Sequence, residues 1–195
     1  MRSRLAVLAT GRGSNLKALI EFLERSGEQA SCEIAVVLSN KTDAPALDLA
    51  REHGLPAGSY AATGDGRELF EILQERRIDL VVLAGYLKKI PANVVAAYSG
   101  RILNVHPGLL PAHGGPGMYG ARVHEAVIAA GERETGVTVH LVNDEYDRGP
   151  IIAQWRIPVQ PVDDAQSLGH RVLEVEHIVY PRVIDLVASL HRTES

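Results

Sequence analysis

Three polar side chains in the middle of the chain have complementary chemistry: Asn104, His106 and Asp147. Asn104 and His106 end the apolar segment RILNVH, and Pro107 follows directly. Because side chains alternate along a strand, Asn104 and His106 point to the same side. An amide donor beside an imidazole can stabilise an oxygen that becomes negative in a tetrahedral intermediate, and the histidine can transfer protons near neutral pH. The alternative interpretation of such a pair is a hydrogen-bonded loop anchor.

Asp147 is the candidate third member of this group. It lies in the segment NDEYDRGP, which has the composition of a turn between two β-rich segments. A carboxylate next to His106 would favour the imidazolium form and raise the pKa of the ring. The alternative for an aspartate in such a segment is turn formation alone. His140, just ahead of this turn, is either a supporting residue or part of the core.

The segment TGRGSN, residues 10–15, joins an apolar run to a helical pattern. Gly11 and Gly13 let the backbone approach an anion, and the N-terminus of the helix would point N–H groups at it. Ser14 and Asn15 either add donors to such a phosphate site or cap the helix. A dinucleotide site is disfavoured, because Leu16 replaces the third glycine of G-x-G-x-x-G and SNKTDA offers no acid at the expected strand tip. We therefore expect no NAD(P).

Other chemistries find less support in the sequence. No G-x-S-x-G segment is present and Cys32 is the single cysteine, which disfavours covalent catalysis and excludes an intrachain disulfide. The histidines lack the spacing of known metal-ligand motifs, so no metal site is expected. Four of them are predicted to be surface or helix-face residues: His53, His124, His170 and His191.

Strand and helix patterns alternate along most of the chain. The predicted strands and helices would position these polar groups. Continuously apolar segments at 4–9, 33–39, 79–86 and 101–105 predict buried strands, with helical patterns between them. This order is typical of an α/β fold with a mostly parallel sheet. Beyond residue 120 a helix precedes two β-rich segments, the second placed at the sheet edge by Pro158. A long helical pattern follows at 164–190, which Pro181 should kink or split.

Bulk properties favour one globular domain over residues 1–195. The net charge is −4 and aromatic residues make up 5%, which argues against nucleic acid or an anionic membrane as a partner. No apolar run approaches the roughly 20 residues of a membrane span. The N-terminal segment is interpreted as a first strand and not as a signal peptide. We expect a cytoplasmic protein.

Taken together, these segments resemble the folate-dependent phosphoribosylglycinamide formyltransferases of purine biosynthesis. The resemblance covers nearly the whole chain and keeps the family's order of motifs. The motifs are GRGSNLKALI, SNKTDAPALDLAREHGLP, DLVVLAGYLKKIP, GRILNVHPGLLPAHGG, GVTVHLVNDEYDRGPIIAQWRIPV and RVLEVEHIVYP. The resemblance implies a Rossmann-like formyltransferase fold with an antiparallel β element in its C-terminal half. It also implies direct formyl transfer from 10-formyltetrahydrofolate, a co-substrate, to glycinamide ribonucleotide, without metal or NAD(P).

The resemblance also assigns roles to individual residues. Asn104 and His106 would stabilise the oxyanion, with His106 protonated and Asp147 holding it. Gly13, Ser14 and Asn15 would bind the substrate phosphate, and Gly11, Arg12 and Glu176 the rest of the ribonucleotide. Folate would contact Asn104 and two segments, namely Leu87, Lys88, Lys89 and Ile90, and Asn143, Asp144, Glu145, Tyr146 and Asp147. The Leu110-Pro111 bond matches a position that could be cis, and a homodimer is compatible with the family.

Two features depart from the family pattern and leave an alternative open. Gly108 replaces the serine of HPSLLP, and the segment GGPGMYG follows where a different loop is usual. An arginine that often binds folate has no clear counterpart, since Arg67 is out of register. The alternative function is a related folate-dependent N-formyltransferase acting on another amine, such as an amino sugar. A tRNA formyltransferase or a deformylase would be expected to carry a further domain, and a non-catalytic module would be expected to lack the polar trio.

Overall fold

The computed structural model describes residues 2–191 as one twisted sheet flanked by helices. The strands are β1 (Ser3–Leu8), β2 (Cys32–Ser39), β3 (Ala57–Ser59), β4 (Leu80–Leu83), β5 (Ile102–His106), β6 (Glu134–Leu141) and β7 (Ile151–Pro158). The helices are α1 (Ser14–Ser26), α2 (Pro45–Glu52), α3 (Arg67–Glu75), α4 (Ala92–Ala97), α5 (Ala121–Ala129) and α6 (Ala165–His191), with a 3₁₀ turn at Gly27–Gln29.

The sheet has the order β3-β2-β1-β4-β5-β6-β7. The first five strands in this order pair in parallel, whereas β6 pairs antiparallel with β5 and β7 antiparallel with β6. This confirms the predicted α/β class, the antiparallel element and the edge position of the strand that ends at Pro158. Strand β3 was not predicted, because Ala-Gly-Ser is three residues long and has no apolar run.

Two apolar layers cover the two faces of the sheet. In β1, Leu5 and Val7 face one layer, which includes buried residues of α1, α2, α5 and α6. Ala6 and Leu8 face the other layer, formed with α3 and α4. The alternation explains why these strands read as continuously apolar, since both of their faces are covered by helices.

Helix α6 is unbroken across Pro181, so of the two predicted outcomes, a kink or a split, the split is wrong. Proline removes one backbone hydrogen bond of a helix, but packing on both sides can hold the helix together. Pro181 is buried, and Val183 and Ile184 pack into the core just after it. Just before it, the Tyr180 hydroxyl lies 3.1 Å from the Leu83 carbonyl oxygen and 3.0 Å from that of Leu103.

Across residues 2–191, no helix is long and apolar enough to cross a membrane.

Candidate active site

A cleft of about 1010 Å³ opens at the carboxyl ends of β1, β4 and β5. Ligands of open α/β sheets bind at this edge, so the topology alone places candidate residues there. The cleft is lined by most of the residues singled out from the sequence: Gly11, Arg12, Asn15, Leu87, Lys88, Lys89, Ile90, Asn104, His106, Asn143, Glu145, Tyr146, Asp147 and Glu176. Gly13, Ser14 and Asp144 adjoin lining residues but are not among them.

The amide of Asn104 is oriented by a histidine from the neighbouring antiparallel strand. Asn104 in β5 is in register with His140 in β6, and its Nδ2 donates to His140 Nε2 at 3.1 Å. In the neutral His140 ring, Nδ1 donates to the Leu141 carbonyl oxygen at 2.9 Å and Nε2 is the acceptor. His140 therefore supports Asn104, which lines the cleft and keeps a second hydrogen on its amide nitrogen.

His106 is 2% exposed and has a partner at each ring nitrogen. Nε2 donates to the His113 carbonyl oxygen at 3.0 Å, and Nδ1 lies 3.7 Å from Asp147 Oδ2. Burial lowers the pKa of His106, while Asp147 acts in the opposite direction without outweighing it. Asp147 thus raises the pKa of the ring as predicted, but burial outweighs this effect and the pKa is lowered overall. The sequence indicated the charge partner but not the depth of burial.

Asp147 is held in place by both its backbone and its carboxylate. Its φ angle is 55°, in the left-handed region that aspartate and asparagine tolerate better than most residues. Oδ2 accepts a hydrogen bond from the Gly115 N–H at 2.9 Å, and Oδ1 lies 3.6 Å from His140 Nε2. Burial alone would raise the pKa of Asp147, but His140, the Gly115 N–H and His106 together lower it. The carboxylate thus faces both histidines as an anion at neutral pH.

The glycine loop presents the N-terminus of α1 to the cleft. Gly13 has φ +78°, and a Cβ there would lie 3.0 Å from the Cβ of Ala46, so this position requires glycine. Among the described residues no side chain caps α1, which excludes the helix-capping interpretation of Ser14 and Asn15. The backbone N–H groups of the first turn are therefore available to an anion.

Asn15 connects this loop to α6. Its Nδ2 donates to Glu176 Oε2 at 2.7 Å, while its Oδ1 is buried without a partner within residues 2–191. Burial raises the pKa of Glu176 to about 7, with the hydrogen bond from Asn15 acting in the other direction. The pair joins two elements that are 161 residues apart in the chain.

The segments assigned to folate differ in exposure along the cleft. Leu87 is 53% exposed and Tyr146 is 41% exposed, whereas Ile90 is buried.

The Leu110-Pro111 bond is cis, as the resemblance suggested. At Gly108, a Cβ would lie 3.2 Å from His106 Nε2 and 3.0 Å from Val123 Cγ1. Gly108, which replaces the serine of the family pattern, has no side chain and therefore leaves room for the His106 ring beside α5.

Sequence reasoning missed several residues that line or support this site. His124 is buried, not a surface residue, and its Nδ1 has no partner within the described chain. Its ring packs against Gly169, where a Cβ would lie 2.9 Å from His124 Cδ2. A glycine inside the apolar helical pattern of α6 was the available signal for such a close approach.

Within residues 2–191, no group of three histidine, cysteine or acidic side chains is arranged to hold a metal.

Comparisons with known proteins give a consistent result. The formyl transferase family model matches residues 3–184. A chloroplastic phosphoribosylglycinamide formyltransferase of Arabidopsis thaliana is 40% identical over 193 residues, covering 95% of this chain and 65% of that protein. The Escherichia coli phosphoribosylglycinamide formyltransferase is 37% identical, covering 94% of this chain and 86% of that protein. The chain thus spans slightly less than two thirds of the plant relative.

Solved structures extend the comparison to three dimensions. The phosphoribosylglycinamide formyltransferase of Anaplasma phagocytophilum superposes with a TM-score of 0.87 at 37% identity, covering 96% of this chain and 87% of that one. A formyltetrahydrofolate deformylase of Pseudomonas syringae gives a TM-score of 0.78 at 25% identity, covering 95% of this chain and 61% of that one.

Proposed function

The chain belongs to the formyl transferase family, and on that premise we propose that it transfers a formyl group from 10-formyltetrahydrofolate to the amino group of 5-phosphoribosylglycinamide. The observation that carries the proposal is the meeting of Asn104, His106 and Asp147 in one cleft of about 1010 Å³. This volume is at the upper end for single-ligand pockets and suits two substrates side by side. Relatives that carry the name phosphoribosylglycinamide formyltransferase support the choice of acceptor.

The acceptor half of the cleft is proposed at the glycine loop and α6. The phosphate would lie on the uncapped N-terminus of α1, on backbone groups of Gly13, Ser14 and Asn15, with Gly11 and Arg12 beside it. The Glu176 carboxyl lines the same half and is held by Asn15. There it can accept hydrogen bonds from the ribose hydroxyls or from the glycinamide arm.

The donor half is proposed at the other end of the cleft. The segments Leu87–Ile90 and Asn143–Asp147 would hold the folate, largely through backbone groups. Leu87 and Tyr146 offer exposed apolar surface to flat rings. Lys88 and Lys89, both exposed, supply positive charge at the same end as counterions for a carboxylate tail.

The reaction needs alignment and one stabilised oxyanion. The amine nitrogen of the acceptor attacks the formyl carbon, and the formyl oxygen becomes negative. Asn104 donates its second Nδ2 hydrogen to this oxygen, and His106 stabilises it as an imidazolium. The bond between the formyl carbon and the folate nitrogen then breaks. The proton lost by the amine ends on that nitrogen, relayed by a bound water.

The lowered pKa of His106 fits this scheme. A buried ring beside Asp147 and a new oxyanion gains a second negative neighbour only as the intermediate forms. His106 therefore binds its proton more tightly in the transition state than in the free protein. Stabilisation that strengthens in the transition state is the kind that raises kcat.

An assay of formyl transfer tests the proposal. Native protein, 10-formyltetrahydrofolate and glycinamide ribonucleotide are mixed, and deformylated folate is followed by absorbance. We expect Asn104→Ala and His106→Ala each to lower kcat by about 10²–10³. His53→Ala, at an exposed helix end outside the cleft, serves as the control. A folded native protein without turnover would refute the acceptor assignment, and amino sugars would then be tested as acceptors.

A further inference from the structure

Tyr119 is an aromatic side chain of the cleft to which no role has been given above. It is 42% exposed, and within residues 2–191 it is one of three exposed large apolar side chains that line the cleft, with Leu87 and Tyr146. Exposed apolar surface inside a cleft is typical of a binding site for an apolar part of a ligand. Leu87 and Tyr146 already belong to the proposed donor half, which leaves the function of the Tyr119 ring to be explained.

The loop that carries Tyr119 is attached to the reacting groups. The His113 carbonyl oxygen accepts a hydrogen bond from His106 Nε2, and the Gly115 N–H donates one to Asp147 Oδ2. Tyr119 follows Gly115 by only four residues. Tyr119 therefore lies in the wall of the cleft that is hydrogen-bonded to His106 and Asp147.

Arg122 fixes the other end of this loop. Its guanidinium carbon lies 5.0 Å from the centroid of the Tyr119 ring, within the range of a cation–π contact. Arg122 Nη1 also donates to the Gly117 carbonyl oxygen at 3.5 Å. One side chain thus holds both the ring and the backbone that carries it, so the ring is pre-positioned and its remaining surface lines the cleft.

We propose that Tyr119 packs against the aromatic ring that the formyl donor carries on its formyl-bearing nitrogen. This inference rests on the proposed function, because it takes the donor to be 10-formyltetrahydrofolate. The formyl carbon must lie at Asn104 and His106 to react. The aminobenzoyl ring is bonded to the same nitrogen, so it must lie immediately beside these residues, where the Tyr119 loop forms the wall. Arg122 is then a positioning residue for this contact.

Binding of tetrahydrofolate, the deformylated donor, tests the contact without requiring turnover. Calorimetry on Tyr119→Ala should show a Kd about 10-fold higher than native, since an aromatic contact and its buried area are lost. Tyr119→Phe keeps the ring and should stay within about 2-fold of native. Arg122→Gln should give an intermediate rise in this Kd, because the Tyr119 ring keeps its surface but loses the contact that positions it. Trp155→Ala, an exposed aromatic outside the cleft, is the matched control.

A fragment distinguishes this ring from the rest of the donor. We expect p-aminobenzoylglutamate to inhibit the native protein and Tyr119→Phe, and to inhibit Tyr119→Ala about 10-fold more weakly. Equal tetrahydrofolate binding by native protein and folded Tyr119→Ala would overturn the inference and leave the proposed reaction standing. A native protein that transfers no formyl group and binds no tetrahydrofolate would refute the proposed function itself.

Discussion

Asp147 combines an unusual backbone conformation with two histidine partners, so its chemistry and its conformation can be tested separately. We expect Asp147→Asn to keep the stability of the fold within about 1 kcal/mol, because asparagine also tolerates a positive φ. Its kcat should still fall by at least about 10²-fold, since the charge facing His106 is lost. Thermal unfolding and the transfer assay measure the two effects.

Asp147→Ala is the comparison for this position. It should lose activity and also lose about 1–2 kcal/mol of stability, because alanine is strained at φ 55°. Retention of turnover by Asp147→Asn would show that the carboxylate charge is not required.

Glu176 should make the stability of the protein depend on pH. Its pKa is raised from 4.5 to about 7 in the folded state, so between these values the folded protein binds more protons than the unfolded chain. The stabilisation from this group is therefore fully present below pH 4.5 and is lost as pH rises through 7. The expected change is about 3 kcal/mol in the free energy of unfolding.

Urea unfolding between pH 5 and 8 measures this dependence. In Glu176→Gln the fall in stability over this range should be smaller than in the native protein. Glu71→Gln, exposed on α3, is the control and should keep the native dependence. Identical pH profiles for the native protein and Glu176→Gln would contradict the assignment.

At the scale of single elements, Gly13 shows how the turn between β1 and α1 shapes the proposed phosphate site. Gly13→Ala combines a strained φ of +78° with a Cβ 3.0 Å from Ala46, so α1 and α2 must separate. We expect a loss of about 2–3 kcal/mol in stability and a higher KM for glycinamide ribonucleotide. The KM for the formyl donor should not change.

Gly54→Ala is a matched control for this turn. It has a similar φ of +69°, but nothing lies within 4 Å of the added Cβ. It should lose about 1–2 kcal/mol and leave both KM values unchanged. An equal effect of the two substitutions would show that contact with α2 does not shape the site.

The elements also show how far the sequence could be interpreted. The strand–helix alternation and the residue types at the end of β5 predicted the parallel sheet and the place of Asn104 and His106. The antiparallel pairing of β5 with β6, which brings His140 to Asn104, depends on long-range register that no local pattern encodes. The net pKa shift of His106 was missed for a related reason, since the ring is buried and contacts the loop that follows it, at Gly108 and at the His113 carbonyl oxygen.

For the whole molecule, two apolar layers share one sheet, which favours the predicted single domain. We expect one cooperative unfolding transition, with near-ultraviolet and far-ultraviolet circular dichroism giving the same urea midpoint. Separate midpoints for the two probes would indicate that one layer unfolds on its own. The homodimer stays a prediction, which sedimentation of the native protein can test.

The contact of Tyr180 with two strands sets a fixed spacing in the cleft. Its hydroxyl lies 3.1 Å and 3.0 Å from the carbonyl oxygens that end β4 and precede Asn104. Glu176 is one helical turn away, about 6 Å along α6. Under the proposed function, a rigid helix therefore sets the distance between Glu176, the proposed anchor of the ribose or the glycinamide arm, and the reacting carbon. An acceptor analogue that is longer or shorter by one methylene would therefore bind at Glu176 and leave its amine out of line with the formyl carbon.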